Sequence, residues 1–394
     1  MPRPDETIAL AKATKTEADI FIAVEMSRAK WIIGVHTPLA EKISIHSFAC
    51  GDADAVLALI DRMRAKVEAV HGTCPKVICC YEAGYEGFWL YRRFGALGVR
   101  MVVIDPASLL VNRRAKRAKT DRIDARDMVR SLMAFARGEH HVLSAVRVPT
   151  VEQDDARRVL RERHRLVKER TAHTNRIKGL LKTQGIMDFN PRAADAVSQL
   201  DDLVTADGRR LGPRLREEII RELERLSLVM KQIVRVEAER DCALQDRCQP
   251  QETASTEHNR DRAMIIALNR LKGIGTNDAS VLVREAFWRN FRNRRELGGW
   301  SGLVPSPWAS GSISRDQGIT QSGPSMLRAQ MVQIAWRWLF WQPESGLTQW
   351  FRKRTAGAAG RMRRIMAVAL ARKLLIALWR YATTGLVPQG AIVT

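Results

Sequence analysis

Residues 19–49 read DIFIAVEMSRAKWIIGVHTPLAEKISIHSFA, in which three apolar runs are separated by short polar breaks. The runs are DIFIAVEMS (19–27), KWIIGVHT (30–37) and KISIHSFA (42–49). Short runs rich in Ile, Val and Phe are typical of β-strands. Because the three runs follow one another so closely, the stretch predicts three consecutive strands in a meander.

Helices and strands alternate after this meander. A helical pattern over 51–70 precedes a buried-strand pattern, PKVICCYEAG (75–84), and the same pair recurs in YEGFWLYRRFGALG (85–98) and VRMVVIDP (99–106). A last helix is predicted from Thr120 to about Ala136. The order β-β-β-α-β-α-β-α resembles that of the ribonuclease-H-like fold, the fold of the RuvC resolvase, so we predict an α/β domain of this class.

Four acids match the places where proteins of that fold carry acidic residues: the first strand, the end of the fourth strand and a late helix. They are Glu25, Glu82, Asp121 and Asp124. The two aspartates have i, i+3 spacing and share one helix face. Carboxylate oxygens bind Mg²⁺, and two such ions stabilise the attacking and leaving oxygens of phosphodiester transfer. Singly, each acid is typical of a cap or surface charge; together they favour a Mg²⁺ (or Mn²⁺) site.

The charge of the chain indicates a polyanionic partner. Lysine and arginine number 65 against 43 aspartates and glutamates, a formal net charge of +22. Such a surplus attracts nucleic acid and is unusual for an enzyme of small neutral metabolites. The densest run precedes the aspartate pair and is predicted to bind nucleic acid through Arg113, Arg114, Lys116, Arg117 and Lys119.

Cysteine and hydropathy patterns argue against two other kinds of site. The six cysteines form no CxxC pair, so no zinc site is predicted. The apolar run IMAVALARKLLIALW (365–379) is interrupted by Arg372 and Lys373, so no membrane span is predicted. We expect a cytoplasmic, nucleoid-associated bacterial protein.

Residues 149–245 have the pattern of long amphipathic helices. One stripe recurs every seven residues, at Leu160, Val167, Thr174 and Leu181. We predict a helical connector, which is either a helical hairpin or bundle within the chain or a coiled-coil contact between two chains. The polar segment 246–262 is predicted to be a linker, and residues 1–18, before the α/β domain of 19–148, a disordered N-terminus.

A mainly α-helical domain is predicted over 263–394. In LKGIGTNDASVLV (271–283), Gly273 and Gly275 predict a tight turn before a helix, as in a helix-hairpin-helix element whose amides bind phosphate. A plain packing turn is the alternative. Segment 299–336 is rich in Gly, Ser and Pro and is predicted to be a long functional loop.

Two long motifs resemble those of one family. GLVP…SG…R…GIT…G…LR, beginning at Gly302, is similar to the C-terminal transposase motif of the IS110 family of insertion sequences, which includes the Piv-type invertases. KTDRIDARDM (119–128) is similar to the N-terminal motif of that family, and YEAGYEGFW (81–89) to the region of its strand-four acid. The resemblance covers about residues 19–380 in the family's order.

The resemblance implies a DEDD transposase, a DNA recombinase guided by an element-encoded bridge RNA and acting as a dimer or tetramer. It also implies that a serine of the C-terminal motif attacks a DNA phosphodiester, and in this sequence that serine is Ser310. The four acids then hold the assisting metal, in a site formed between protomers. Arg315 and Arg328 are candidates to hold the scissile phosphate, because the guanidinium fork matches phosphate oxygens.

The sequence departs from the family pattern at two positions, and two alternative functions stay open. Glu25 stands where the family has Asp, and Ala309 stands where many members have a second serine. Ser306, Ser312 and Ser314 remain as other nucleophiles. A metal-only RuvC-like nuclease, such as a junction resolvase, would use the same acids with water. A non-enzymatic nucleic-acid-binding protein would need none of these side chains for chemistry.

Overall fold

The computed structural model describes residues 19–109, 120–244, 256–310 and 313–394. The predicted basic run at 113–119 and the N-terminal residues 1–18 therefore lie outside the described residues. The chain divides into two compact units between Val148 and Pro149.

A five-stranded sheet forms the centre of the first unit. Its strands are β1 (Ile20–Met26), β2 (Lys30–Thr37), β3 (Ala40–Ala49), β4 (Val77–Glu82) and β5 (Arg100–Ile104), in the spatial order β3-β2-β1-β4-β5. The first three are antiparallel neighbours, and β4 and β5 continue the sheet parallel to β1. A meander followed by parallel strands confirms the ribonuclease-H-like α/β class predicted for this part of the chain.

Helices cover both faces of this sheet. α1 (Ala53–His71) and α2 (Trp89–Ala96) pack on one face, over a core that includes Ile22. α3 (Asp121–Ala136) packs on the other face, over a core that includes Ala23. Because successive strand residues alternate between faces, the position of a residue along its strand decides which helix its side chain meets.

Helix α3 lies close to the sheet at Gly34 of β2. A Cβ at this glycine would lie 2.9 Å from the carbonyl oxygen of Ala125 and 3.0 Å from Cγ2 of Val129. These separations are shorter than normal van der Waals contacts, so only glycine allows this approach. The helix is capped at its start by Thr120, whose hydroxyl accepts the N–H of Ile123 at 3.3 Å.

The second unit begins with a long helical hairpin. Helices α4 (Val151–Lys182) and α6 (Pro213–Leu244) run antiparallel and bury an apolar seam between them. Two ion pairs that cross the seam are Arg163–Glu237 at 2.6 Å and Arg176–Glu218 at 2.7 Å. The connector therefore forms a hairpin within one chain, and the coiled-coil contact between two chains stays a prediction.

The remainder of the second unit is mainly helical and also contains a β-hairpin. Its elements are α5 (Ala196–Asp202), α7 (Thr256–Asn269), α8 (Thr276–Val281) with a π-helical continuation over Leu282–Phe287, α9 (Arg294–Ser301), β6 (Pro305–Ser310), β7 (Ile313–Ile319), α10 (Ser325–Trp341), α11 (Gly346–Thr355) and α12 (Gly360–Thr384). Trp338 and Leu374 are buried in one core, and Leu160 of α4 joins it. The connector and the C-terminal helices thus pack as one body. Within the described ranges, no helix is long and apolar enough to cross a membrane.

Two predictions of irregular structure are partly wrong. Residues 256–262, predicted as linker, form the first turns of α7, because this polar stretch continues the helix that packs from Met264 onward. Segment 299–336, predicted as a loop, contains β6, β7 and much of α10. Pro305 and Pro307 hide the strand pattern, since proline is excluded from central strands but is accepted in a two-stranded hairpin, where both strands are edges.

Candidate active site and nucleic-acid interface

Strands β1 and β4 bring two of the predicted acids together. Val24 pairs in parallel register with Tyr81, so the next residues along the strands, Glu25 and Glu82, are neighbours. The residues two positions before each of them lie in the core under α3. Because side chains alternate along a strand, both carboxylates face the α3 side of the sheet.

Helix α3 brings the other two acids to the same side. Asp121 and Asp124 lie in its first turn, at i, i+3 positions that share one helix face. Both are half-buried, as are Glu25 and Glu82. The structure therefore places all four predicted acids on one side of the sheet, each partly exposed to solvent.

These donors suit a hard divalent cation that also binds substrate. Among the residues that the structure describes, no group of three His, Cys, Asp or Glu side chains is arranged to hold a metal ion. Mg²⁺ usually takes one or two carboxylates and completes its shell with water and substrate phosphates. Burial, together with the neighbouring Cys79 and Glu82, raises the pKa of Cys80, so this thiol stays protonated and does not compete. The chemistry of these carboxylates therefore suits a hard divalent cation that is also bound by a phosphate, and the described residues form no cage made of protein alone.

Ser310 is exposed at the end of a strand. It is the last residue of β6 and pairs with Ile313 of β7. Ser306 is half-buried on the same strand, Ser312 lies outside the described residues, and only the backbone of Ser314 is described. Of the candidate nucleophiles whose side chains are described, Ser310 is the exposed one.

Two glycines fix the base of the β6–β7 hairpin. Gly302, before β6, and Gly323, after β7, have left-handed backbones with φ of 68° and 69°. A Cβ at Gly302 would lie 2.0 Å from the carbonyl oxygen of Ser322, and a Cβ at Gly323 would lie 2.0 Å from that of Trp300. The two chain segments therefore cross at a distance that only glycine permits.

Arg328 and Ser322 brace this crossing. The guanidinium of Arg328 donates to the carbonyl oxygens of Ser322 and Gly323, the latter at 2.8 Å. The Ser322 hydroxyl donates to the carbonyl oxygen of Gly299 at 3.1 Å. Gly302, Gly323 and Arg328 all belong to the motif GLVP…G…LR, so these motif residues set the direction of the hairpin that carries the candidate nucleophile. The phosphate contact predicted for Arg328 stays a prediction.

Packing explains the turn between α7 and α8. Gly273 has a φ of 91°, and a Cβ there would lie 2.8 Å from Cβ of Trp341. The N–H of Gly275 donates at 3.1 Å to the buried carboxylate of Asp278, which also accepts from Arg337 at 2.7 Å. The alternative of a packing turn accounts for Gly273, and Asp278 occupies the N–H of Gly275, so the phosphate contact of a helix-hairpin-helix element stays a prediction.

The structure also contains a basic groove, of which the sequence pattern singled out only Arg294 and Arg295, as part of a basic run that favours contact with the DNA backbone. Its charged lining residues are Arg294, Arg295, Arg361, Arg372, Lys373 and Arg380. Arg361, Arg372, Lys373 and Arg380 belong to α12, where the steps from Arg361 to Arg372 and from Lys373 to Arg380 are about three and two helical turns. This spacing, which gathers the four cations on one side of α12, was the sequence signal that could have predicted the groove. Of the predicted Arg315, only the backbone is described, and it pairs with Trp308.

Two family models match the chain. A model described as "Transposase IS116/IS110/IS902 family" matches residues 266–369, which include Ser310 and both hairpin glycines. A DEDD transposase model of the IS110 type, described as "Transposase", matches residues 35–185, which include three of the four predicted acids. This second match begins after Glu25, the acid that departs from the family's usual residue.

Curated relatives extend over most of the chain. A protein named "Putative transposase y4rJ" from Sinorhizobium fredii is 42% identical over 380 residues, which are 95% of this chain and 94% of that protein. The transposase for insertion sequence element IS1328 of Yersinia enterocolitica is 28% identical over 323 residues, 80% of this chain and 86% of that protein. The transposase for insertion sequence element IS1111A of Coxiella burnetii is 28% identical over 257 residues, 64% of this chain and 63% of that protein. The extent of the match to y4rJ, together with both family models, shows that the chain belongs to the IS110/IS116/IS902 family of transposases.

Proposed function

We propose that this transposase cuts and rejoins DNA through a covalent bond between Ser310 and the DNA backbone. The β6–β7 hairpin is the observation that carries the proposal. Ser310 is exposed at the end of β6, and Gly302, Gly323 and Arg328 hold the base of the hairpin. A nucleophile must reach the phosphorus atom and be held in a fixed direction to react efficiently. The hairpin supports both requirements.

The proposed reaction has two steps. The Oγ of Ser310 attacks phosphorus, an Oγ–P bond forms, and the P–O bond to one DNA end breaks, so that this end leaves as a hydroxyl after taking a proton. The hydroxyl of the exchanged DNA end then attacks the phosphoserine, a new P–O bond joins the DNA, and Ser310 regains its proton. The phosphoserine linkage retains the energy of the broken phosphodiester bond, so the exchange needs no further co-reactant.

The proton of Ser310 needs an acceptor, because a serine hydroxyl is a weak nucleophile at neutral pH. No histidine follows His258 in the sequence, so no imidazole is near Ser310 along the chain. We assign the acceptor role to the carboxylates Glu25, Glu82, Asp121 and Asp124. Mg²⁺ or Mn²⁺ bound by these acids would stabilise the negative charge that develops on the phosphate oxygens.

The proposal also includes the partners of the transposase. We propose an element-encoded bridge RNA as guide, and assembly as a dimer or tetramer in which the hairpin and the acids that act together come from different protomers. The net charge of +22 supports binding of nucleic acid. Arg315 is assigned to the scissile phosphate, and Arg113, Arg114, Lys116, Arg117 and Lys119 are assigned to the nucleic-acid backbone.

Covalent trapping tests the proposal. Wild-type protein, Ser310→Ala and Ser306→Ala are each expressed with the complete element and its flanking DNA, and denatured lysates are probed for DNA attached to protein. Ser306 is the matched control, because it lies on the same strand but is half-buried. The adduct is expected in wild type and Ser306→Ala, and is expected to be absent from Ser310→Ala.

Two other outcomes would change the assignment. An equal adduct in Ser310→Ala would move the nucleophile to another serine. Recombined DNA without an adduct in any variant would favour a metal-only nuclease, in which the acids activate water. The placement of Glu25, Glu82, Asp121 and Asp124 on one side of the sheet is the observation that favours this second candidate.

A further inference from the structure

A groove of about 1590 Å³ lies in the second unit, and all the charged side chains described in its lining are positive. α9, the base of the β6–β7 hairpin, α11 and α12 form its walls. Its cations are Arg294, Arg295, Arg361, Arg372, Lys373 and Arg380, and no acid is among the lining residues that the structure describes.

These cations have no ion-pair partner in the described part of the protein. Across the parts of the second unit that the structure describes, none of the six forms an ion pair, although many arginines of the helical hairpin do, as in Arg163–Glu237 and Arg216–Asp201. Unpaired cations gathered in a concave surface produce a positive potential that attracts a polyanion. The groove therefore has the charge of a phosphodiester-binding site.

The groove also has an apolar side that a duplex would not use. Trp350, Ile365, Ile376 and Leu386 contribute to its lining. The Nζ of Lys373 lies 4.8 Å from the centre of the Trp350 ring, so a cation and an aromatic face are adjacent. A duplex offers phosphates but keeps its bases stacked inside, whereas an unpaired strand offers phosphates to cations and base faces to aromatic and apolar groups.

The groove adjoins the element that carries the candidate nucleophile. Pro305 and Ile319, which pair at the base of the hairpin, both line it. From Pro305, β6 leads to Ser310 over about 17 Å, at the usual rise of a strand. From Arg361 to Arg380, α12 runs along the groove for about 28 Å, at the usual rise of a helix. A strand lying in the groove would thus be held beside the hairpin over several nucleotides.

We propose that this groove binds an unpaired nucleic-acid strand next to the hairpin. The inference rests on the proposed action on nucleic acid, but concerns strand binding and not the cutting step. Unpaired DNA at a cut site and an unpaired segment of RNA share the chemistry that the groove recognises.

The test compares two variants of the full-length protein that remove the same charge from the same helix. Lys373→Gln/Arg380→Gln changes two exposed cations of the groove, and Arg363→Gln/Arg364→Gln changes two exposed cations of α12 outside it. Binding of single-stranded DNA, single-stranded RNA and duplex DNA oligonucleotides is followed by fluorescence anisotropy over a range of salt concentrations.

The groove variant is expected to bind single strands about 10- to 30-fold more weakly at 0.1 M salt, with a salt slope lower by about 1.4, since each lost phosphate contact on a single strand lowers it by about 0.7. The control variant is expected to bind nearly as wild type does. Trp350→Ala is expected to weaken single-strand binding about tenfold through lost stacking, with a smaller effect on duplex binding. Whichever single strand binds more tightly, DNA or RNA, identifies whether the natural ligand is DNA or RNA.

Equal losses in the groove and control variants, or a larger loss for duplex than for single strands, would overturn the proposal. Ser310→Ala separates this inference from the proposed chemistry, because it is expected to keep full strand binding. If the covalent adduct is never found while the groove variants still lose single-strand binding, the cutting mechanism fails and the groove assignment stands.

Discussion

Glu25 and Glu82 reach their positions through the register of hydrogen-bonded strands, whereas Ser310 reaches its position through a hairpin held at its base by two crossing glycines. The acids belong to a regular sheet whose spacing is set by backbone geometry. The hairpin belongs to a mainly helical unit, where its direction depends on contacts between Gly302, Gly323 and the residues they cross. Substitutions therefore affect the two regions differently.

At the sheet, the acidic side chains are proposed to carry out the chemistry, and replacing one of them is expected to leave the backbone unchanged. At the hairpin, substitutions of the backbone frame are expected to matter as much as loss of the serine itself. This difference separates changes that remove a reacting group from changes that misdirect it, and each of the following variants tests one side.

The largest effect is expected from Asp124→Asn on α3. It keeps the shape of the side chain but removes a carboxylate proposed to bind Mg²⁺, so recombination is expected to fall about 100-fold or more, because charge stabilisation by a metal amounts to several kcal/mol. Asp127→Asn is the control: it lies on the same helix, but its carboxylate pairs with Arg130 at 2.8 Å. Recombination in cells measures both variants, and thermal unfolding verifies that both fold. Equal activity of the two would remove Asp124 from the site.

The next effect is expected from Gly302→Ala at the hairpin base. The new Cβ would meet the Ser322 carbonyl at 2.0 Å, so the second unit is expected to lose about 3 kcal/mol of unfolding free energy, and recombination is expected to fall with it. Gly318→Ala is the control, because Gly318 also has a left-handed backbone, with φ of 97°, but open space around its Cβ position. The control is expected to lose about 1 kcal/mol. Urea unfolding of both variants measures the difference, and similar losses would show that the crossing does not hold the hairpin.

A smaller effect is expected from Gly34→Ala under α3. The added methyl group would press on Ala125 and Val129, so the first unit is expected to lose about 2 kcal/mol, as in other overpacked cores. Gly95→Ala in α2 meets open space and is expected to be neutral or stabilising. Because a shift of α3 moves Asp121 and Asp124, Gly34→Ala is also expected to lower recombination. Full activity together with unchanged urea unfolding would show that α3 does not depend on this close contact.

The sequence predicted the first unit well for a physical reason. The strands of 19–49 carry their own pattern of apolar runs, and the i, i+3 spacing of Asp121 and Asp124 places both on one helix face without reference to any distant residue. The family motifs then singled out Ser310. All of these signals are local, so a single chain is enough to read them.

The second unit was harder because its features depend on residues far apart in the sequence. The groove combines Arg294 of α9 with Arg380 of α12, and no local pattern joins them. Pro305 and Pro307 hid β6, and the glycine pair at the hairpin base is recognisable only when Gly302 and Gly323 are seen to cross. The buried carboxylate of Asp278 likewise occupies the amide of Gly275 that the turn pattern assigned to phosphate.

The central claim is tested most directly by locating the DNA attachment on the protein. The trapped wild-type adduct is digested with nuclease and trypsin, and the peptide that spans residues 296–315, bounded by Arg295 and Arg315, is fragmented by mass spectrometry. A nucleotide mass on Ser310 is the result predicted here. A nucleotide on Ser306, Ser312 or Ser314 would contradict it. So would recombined DNA in a sample whose 296–315 peptide carries no nucleotide.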